Sequence, residues 1–445
     1  MNQSRQSKLV FTLFFLLVTT VLIAQETGNT PLSLEDAVSN AIANNHQIKS
    51  SKFDVQAAQT DVNQIISYRL PQVEANLVGA VTNLPLNAFG SSLQQGSIEQ
   101  TDFIPSALNN PSATTNLQSQ IALYQPLMNL DVKAMKKAME AKAAAYDQVN
   151  ERTEQMITSY VAQTYLQLQL SHSMLDVLKS AKTTAEASLE LTQNNIDAGY
   201  LQKVDLLSVQ LRLSEIEYQI FEVESNIIYA SDQLSYLMGA DIGTVYQPTA
   251  QLEDIDKSQL LLEDLPTNRS DFNAINYQIE AKNHMLSAQK KTNLPRINLF
   301  GTYEVNNPLD FQEAQHGYMV GVQTSWKIFD GLKNKNDVQK TKIEIEQAIN
   351  NLNQTIHQNE LELQKAKRQL LQARNRIEMS KIAIEQAKES LRIKLNRYEE
   401  GLEKTTDILY AETTLAQKEM SYVEAIYDYH QAFTQINNLL ETSNN

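Results

Sequence analysis

The sequence predicts a mainly α-helical protein with a smaller β part, built as a duplicated repeat. Three observations predict this fold class. Gly and Pro are scarce, with 12 and 10 in 445 residues, and neither occurs between Pro126 and Gly199 or between Gly331 and Gly401. Because these residues turn and stop a chain, both intervals are predicted to be long helices. The chain also aligns with itself, and each copy contains two short segments in which apolar and polar residues alternate.

Composition and charge exclude several classes of protein. The formal net charge of −15 argues against nucleic acid as a partner, because phosphate binding needs a basic surface. The absence of Cys excludes disulfides, thiolate metal sites and cysteine nucleophiles. The six His residues fall in no metal-binding spacing, and the chain has no nucleophile elbow or phosphate-binding Gly loop. We therefore expect no enzyme, no cofactor and no metal ion.

Residues 1–24 are typical of a secretory signal peptide. Arg5 and Lys8 precede an apolar run at 9–23, and the small Ala24 follows. The alternative is an uncleaved N-terminal anchor, for which the run is short. Beyond this run no apolar stretch approaches the length of a transmembrane helix, so any part of the mature chain that enters a bilayer is expected to do so as β-strands.

The internal repeat divides the chain into residues 25–240, a linker or equatorial segment at 241–265, and residues 266–445. Equivalent positions carry the same residue in both copies: Pro71 and Pro295, Gly199 and Gly401, Asp205 and Asp407, Leu207 and Leu409. The first copy is longer, and its extra residues fall within 82–115. Since this segment is rich in Ser, Asn, Gln, Gly and Pro, its composition predicts a loop.

Each copy is predicted to run helix, strand, loop, strand, very long helix, tight turn, long helix. In the strands, alternation separates an apolar side from a polar side. We assign these residues to a lipid-facing side: Val73, Leu77, Ile121, Ile297, Leu299, Val320 and Val322. Tyr318 and the only Trp, Trp326, lie near strand ends, as aromatic residues at a membrane interface do. A soluble sheet with one solvated face would show the same alternation, so this alternative stays open.

Regular heptad spacing follows each Gly turn, from Leu206 to Leu237 and from Ile408 to Leu439. The spacing predicts packed seams of coiled-coil hairpins, with Gly199 and Gly401 as left-handed residues that end a helix. About 64 helical residues would extend roughly 95 Å, well beyond a bilayer of ~30 Å, so the helices are expected to project into an aqueous space. One chain supplies too few strands to close a barrel, whereas three chains would supply twelve.

These features together make the mature chain resemble the TolC family of outer membrane efflux and secretion channels. The resemblance rests on the opening helix at 34–45, the Leu-Pro pairs at 70–71 and 294–295, the strand exits at 124–127 and 326–331, and the duplicated Gly turn. It implies a homotrimer in which four strands per chain form a trimeric 12-stranded β-barrel, continued by a long periplasmic α-helical coiled-coil barrel.

The resemblance also implies a function and partners. The chain would be the exit duct of a tripartite efflux or type I secretion system in the outer membrane of a Gram-negative bacterium. It would be a passive conduit, gated at its periplasmic tip and driven by an inner-membrane pump through a periplasmic adaptor. The rival interpretation is a secreted or periplasmic structural coiled-coil protein without a pore. Duplicated amphipathic strands, each followed by a long helix, favour the channel.

Three residues match positions that the family uses to close its tip: Asp205, Tyr398 and Asp407. Three copies of Asp407 around a narrow axis would repel one another and concentrate cations. Both aspartates can equally be explained as helix N-caps that follow the turns, and the two roles are compatible.

The chain departs from the family pattern at other tip positions. Glu403 occupies the place of a frequent arginine, Tyr410 that of a second ring aspartate, and Val204 that of a threonine. Glu403 remains a tip candidate, but some of the residues that usually close the tip in the family are missing.

Overall fold

A computed structural model describes residues 30–254, 263–308 and 314–441 of the chain. The mainly α fold is confirmed, and each repeat contributes two strands to one four-stranded sheet. The first repeat contains β1 (Thr30–Leu32), α1 (Leu34–Asn44), α2 (His46–Ser67), β2 (Gln72–Thr82), α3 (Pro85–Gln94), α4 (Pro105–Asn109), β3 (Thr114–Met128), α5 (Leu130–Asp197) and α6 (Lys203–Met238). The linker contributes β4 (Tyr246–Pro248), and the second repeat contains α7 (Ser270–Lys291), β5 (Arg296–Asn307), β6 (Gln315–Ser325), α8 (Lys333–Glu399) and α9 (Thr405–Leu440). The predicted signal peptide lies outside the described residues.

None of the helices in the described ranges is both long enough and apolar enough to cross a membrane.

Four strands form one antiparallel sheet in the order β2-β3-β5-β6. Residues directly opposite each other share a face, as Val73 and Leu123 do, and as Leu299 and Val322 do. Followed through the register, all seven predicted lipid-facing residues and Tyr318 lie on the same side of the sheet. We call this side the apolar face and the opposite side the polar face.

The sheet belongs to a compact unit made of Ser50–Arg152 and Thr267–Gln358. Beside the sheet, this unit has a small helical core in which Ala58 and Val62 of α2 pack with Ala143 of α5. An ion pair between Arg296 and Asp131 joins the first residue of β5 to the start of α5.

The second compact unit takes in the described parts of Met1–Lys49, Thr153–Pro266 and Asn359–Asn445. Its cores bear out the predicted heptad seams. The seam residues of α6 that are buried are Val209, Ile216, Ile227, Ala230 and Leu234, and those of α9 are Ile408, Ala411, Ala425, Tyr429, Ala432, Ile436 and Leu439. The hairpins are therefore held together by the apolar stripes read from the sequence.

The linker folds onto the helices of this second unit. β4 pairs in parallel with β1. Asp254 accepts hydrogen bonds from two bases of α8, Arg374 at 3.0 Å and Lys381 at 2.7 Å. Residues 255–262 of the predicted linker lie outside the described residues.

The predicted loop within 82–115 is not irregular throughout, since it contains α3, a 3₁₀ turn at Gln100–Phe103 and α4. Pro85 and Pro105 each occupy the first turn of a short helix, where the missing N–H costs nothing and the fixed φ suits a helix. Turn-forming composition therefore correctly placed the chain reversals but underestimated the local helical structure.

Candidate functional site: the helix turns and the faces of the sheet

The two turns between long helices are closed by glycines. Gly199 has φ +83° and Gly401 has φ +73°, and a Cβ at either position would meet no atom within 4 Å. The amides of Tyr200 and Leu402 donate back to Asn195 O and Arg397 O, both at 2.8 Å. This pattern satisfies carbonyl groups at the helix ends, which confirms the left-handed conformation expected of both glycines.

Tyr398 lies in α8 just before the second turn, and its side chain is buried. Its hydroxyl is 3.1 Å from Thr192 Oγ1 of α5 and 3.1 Å from Thr405 Oγ1 of α9. One phenol thus connects three helices of the same unit. The two threonines were not singled out from the sequence, because a hydroxyl group within a helix or at its start carries no sequence signal of its partner.

Glu403 forms a hydrogen-bonded ion pair within the second turn. Arg397 Nε donates to Glu403 Oε2 at 2.9 Å, and the Glu403 side chain is mostly covered while that of Arg397 is half exposed. The Glu403 carboxylate therefore connects the turn to the end of α8 through this ion pair. The sequence comparison gave Glu403 as a departure but did not identify Arg397 as its partner.

The N-cap interpretation of Asp205 and Asp407 is corrected by the structure. The N-caps of α6 and α9 are Gln202 and Lys404, and the aspartates are the third residues of their helices. Asp205 Oδ2 accepts the amide of Gln202 at 3.1 Å, which makes it the reciprocal member of a capping box. Asp407 differs, because its backbone carbonyl accepts Lys394 Nζ at 3.3 Å.

A buried carboxyl group that sequence reasoning missed lies five residues after Asp407 in α9. Glu412 of α9 is 7% exposed, and its Oε1 accepts the hydroxyl of Ser188 from α5. Among the described residues, Glu412 Oε2 and Arg212 Nε of α6 have no hydrogen-bond partner. Burial raises the pKa of Glu412, although the Ser188 hydroxyl and the nearby Arg212 charge oppose this shift.

The apolar face of the sheet is exposed to the surroundings of the chain. Val73 is 69% exposed, and Leu77, Ile121, Val320 and Val322 are also exposed, whereas Ile297 and Leu299 are partly covered. Soluble proteins seldom leave so continuous an apolar surface uncovered.

The two predicted interface aromatics lie toward opposite ends of β6. Tyr318 is opposite Tyr303 on the apolar face, and Trp326 directly follows the last residue of the strand. The Trp326 indole donates to Asn293 O at 3.0 Å while its side chain stays largely exposed. This is the behaviour of a ring with one apolar side and one hydrogen-bonded edge.

The polar face carries amide and carboxylate side chains that bond to one another. Gln118 Nε2 donates to Glu304 Oε2 at 2.8 Å, and Asn116 Nδ2 donates to Asn306 Oδ1 at 2.9 Å. The sheet therefore separates a bonded polar surface from an exposed apolar surface. This arrangement suits a wall between lipid and water.

Comparison with known proteins identifies the family of this chain. The outer membrane efflux protein family model matches residues 37–240 and 261–441, so the chain belongs to this family. The resemblance drawn from the sequence motifs is thereby confirmed. The family is one of outer membrane efflux proteins, which are transport proteins and not enzymes.

Individual relatives are distant. The multidrug resistance outer membrane protein MdtP of Escherichia coli O6:H1 is 20% identical over 342 residues, which cover 73% of this chain. The match spans 66% of that relative's length, just under two thirds. The outer membrane protein VceC of Vibrio cholerae is 16% identical with a TM-score of 0.76, covering 92% of this chain and 96% of VceC. The Campylobacter jejuni CmeC outer membrane channel is 17% identical with a TM-score of 0.77, covering 92% and 85%.

Proposed function

We propose that three copies of this chain form an exit duct through the outer membrane of a Gram-negative bacterium. The edges of the sheet carry the argument. Among the described strands of this sheet, β2 pairs only with β3 and β6 only with β5, so each outer strand leaves one row of backbone groups without a partner strand. Such edges are not tolerated in hydrocarbon, and joining the edges of neighbouring copies satisfies them. Three chains then close a 12-stranded barrel.

The two faces of the sheet fit this closure. The apolar face with Val73 and Val320 would contact lipid, and Tyr318 and Trp326 would lie at the two membrane interfaces. The polar face would line the water-filled passage, since its amides and carboxylates already bond to one another between β3 and β5. The long helices would continue the passage into the periplasm.

An exposed stripe on α6 supports assembly with further copies. It follows heptad spacing on a side of the helix different from the packed seam. Its exposed members are Val204, Leu207, Leu211, Tyr218, Phe221 and Ile228. Because a second seam of this kind on a surface helix needs a second helical partner, we infer that α6 packs against a neighbouring protomer.

The duct would be passive and would work with other proteins. We propose that a periplasmic adaptor joins it to an inner-membrane pump, as one component of a tripartite efflux or type I secretion system. Tip residues Asp205, Tyr398, Glu403 and Asp407 would form the gate region, and Gly199 and Gly401 would form the tip turns. Membership in the efflux family and the similarity to MdtP, a multidrug resistance protein by name, support this role.

The test is the state and activity of the purified protein. We expect an outer-membrane species, extracted with detergent, that migrates as a trimer sensitive to heat or denaturant and conducts ions in planar bilayers. Phe221→Asp places a charge on the stripe and should reduce the trimer fraction, whereas Asn226→Asp adds the same charge beside it and should not. Recovery of the natural chain as a soluble periplasmic monomer would refute the duct and favour a pore-free coiled-coil protein.

A further inference from the structure

Residues 83–113, which connect β2 to β3, form a folded segment and not an irregular loop. Its α3 and 3₁₀ turn meet through the rings of Phe89 and Phe103, whose centroids are 5.7 Å apart in an edge-to-face arrangement. The amide of Glu99 donates to Asp102 Oδ2 at 2.8 Å, which fixes the turn between the helices. The equivalent connection of the second repeat, from β5 to β6, is much shorter and spans residues 308–314.

A chain of buried amide groups ties this segment to the polar face of the sheet. Gln95 Nε2 donates to Thr115 O at 2.6 Å and to Asn116 Oδ1 at 3.0 Å. Asn116 then donates to Asn306 on β5. Gln95 is 5% exposed, and Asn116 and Asn306 are buried as well. Buried amides bonded in series fix one arrangement, because breaking any link leaves a buried polar group without a partner.

Gly96, the residue after Gln95, lies close to β6, the edge strand on the other side of the sheet. Gly96 has φ +69°, and a Cβ built on it would lie 3.1 Å from Gln315 Cγ. Gln315 is the first residue of β6 and is opposite Asn306, so it shares the polar face with Asn116. The segment therefore reaches across the polar face from β3 toward β6.

The position of these anchors along the strands is specific. Asn116, Asn306 and Gln315 all lie where β2 ends, β3 begins and the chain passes from β5 to β6. This end of the sheet is opposite to the one at which α2 leads into β2. In a closed barrel it is the mouth opposite to the one that α2 and α7 enter.

We propose that residues 83–113 form a lid over the outer mouth of the passage, latched by Gln95, Asn116 and Asn306 and by the contact of Gly96 with Gln315. The proposal rests on the proposed duct, because only a closed barrel makes the polar face a lumen. Three such lids, one from each protomer, narrow the exit and set the size of solute that leaves. Release of the latch widens the exit without changing the barrel itself.

The natural chain lacks Cys, so a designed pair supplies the only thiols in each protomer. Gly96→Cys with Gln315→Cys places one thiol on each side of the lid contact, where a Cβ built on Gly96 lies 3.1 Å from Gln315 Cγ, and we expect the pair to form a disulfide. In planar bilayers, the reduced form should reach a wider state than the oxidised form, with a conductance ratio on the order of twofold and a larger exclusion size for neutral polymers. The single variants Gly96→Cys and Gln315→Cys, treated in the same way, control for oxidation alone.

A second variant tests the latch without cysteine. Gln95→Ala combined with Asn116→Ala removes the amide chain and should raise conductance in the same direction as reduction. Thr324→Ala, on the apolar face of β6, serves as its control. Equal conductance and equal polymer exclusion before and after reduction would overturn the lid, as would failure of the two thiols to cross-link in folded trimers. If the natural protein showed no conductance at all, the proposed duct itself would be refuted.

Discussion

At the scale of single residues, the hydroxyl of Tyr398 connects three helices through two threonines. Tyr398→Phe removes that hydroxyl and leaves Thr192 and Thr405 without this partner in a buried site. We expect a local loss of stability of about 1–3 kcal/mol, because buried polar groups then lack hydrogen bonds. Hydrogen–deuterium exchange at the helix ends around the second turn should accelerate accordingly.

The matched control is Tyr410→Phe, which removes the same atom from an exposed ring in α9. Exchange at the turn should stay at the natural rate in that variant. Equal acceleration in both variants, or in neither, would mean that the three-helix contact of Tyr398 does not stabilise the turn.

The buried carboxyl of Glu412 predicts an unusual pH dependence of stability. Burial raises its pKa in the folded chain above the ordinary carboxyl value. The folded state therefore favours the protonated form, and the contribution to stability is fully present below the ordinary pKa. That contribution is lost as the pH rises from the ordinary value through the raised folded value. Most acids that gain a cationic partner on folding have a lowered pKa in the folded state, so their contribution to stability increases as the pH rises.

Glu412→Gln removes the titration while keeping the shape and an oxygen that can accept the Ser188 hydroxyl. The variant should be more stable than the natural protein at neutral pH, and the fall in melting temperature across the window should be smaller than in the natural protein. Glu190→Gln, an exposed acid on the same helix as Ser188, should leave that fall in place. A fall of the same size in Glu412→Gln and in the natural protein would contradict the argument.

At the scale of elements, the Gly turns fix where the long helices reverse. Gly401→Ala introduces a Cβ that meets no other atom, so its cost comes from the backbone alone. An L-residue held in the left-handed region costs about 1–2 kcal/mol, which should lower the thermal stability of the hairpin.

Gly90→Ala is the matched control, because Gly90 lies inside α3 and its surroundings are equally open. There alanine should stabilise the protein by about 0.5–1 kcal/mol. Changes of the same sign in the two variants would exclude the conformational explanation.

The sequence predicted elements better than it predicted contacts between them. The long intervals without Gly or Pro predicted α5 and α8, and the period-two alternation assigned Val73 and Val320 to the same face of the sheet. Both signals are local, since they depend only on spacing along the chain.

Contacts between distant helices could not be predicted in this way. Ser188 and Glu412 are 224 positions apart. Whether they meet depends on how two long helices are rotated and shifted against each other, and a shift of one residue turns a side chain by about 100°. The anchoring of 83–113 had the same difficulty, because its composition indicated turns but not that Gln95 would reach Asn116.

At the scale of the whole molecule, the effect of a charged side chain depends on how many copies of it the assembly brings together. The mature sequence is acidic, and a single exposed carboxylate of one chain has little effect in water because its field is screened. In a threefold assembly, a side chain near the axis occurs three times in a confined space. The same carboxylates then add their fields and attract cations into the passage.

Asp407 is the residue on which this effect is best tested. If its three copies form a ring at the tip, Asp407→Asn should lower the preference for cations over anions and weaken block by multivalent cations, since both depend on the summed charge. Lys394, whose ammonium group bonds to the Asp407 carbonyl, provides a change of opposite sign, and Lys394→Gln should increase cation preference. Glu346→Gln removes an exposed acid from α8 far along the sequence from the turn and should leave selectivity unchanged. Reversal potentials in a salt gradient measure all three variants, and values for Asp407→Asn equal to those of the natural channel would exclude the ring.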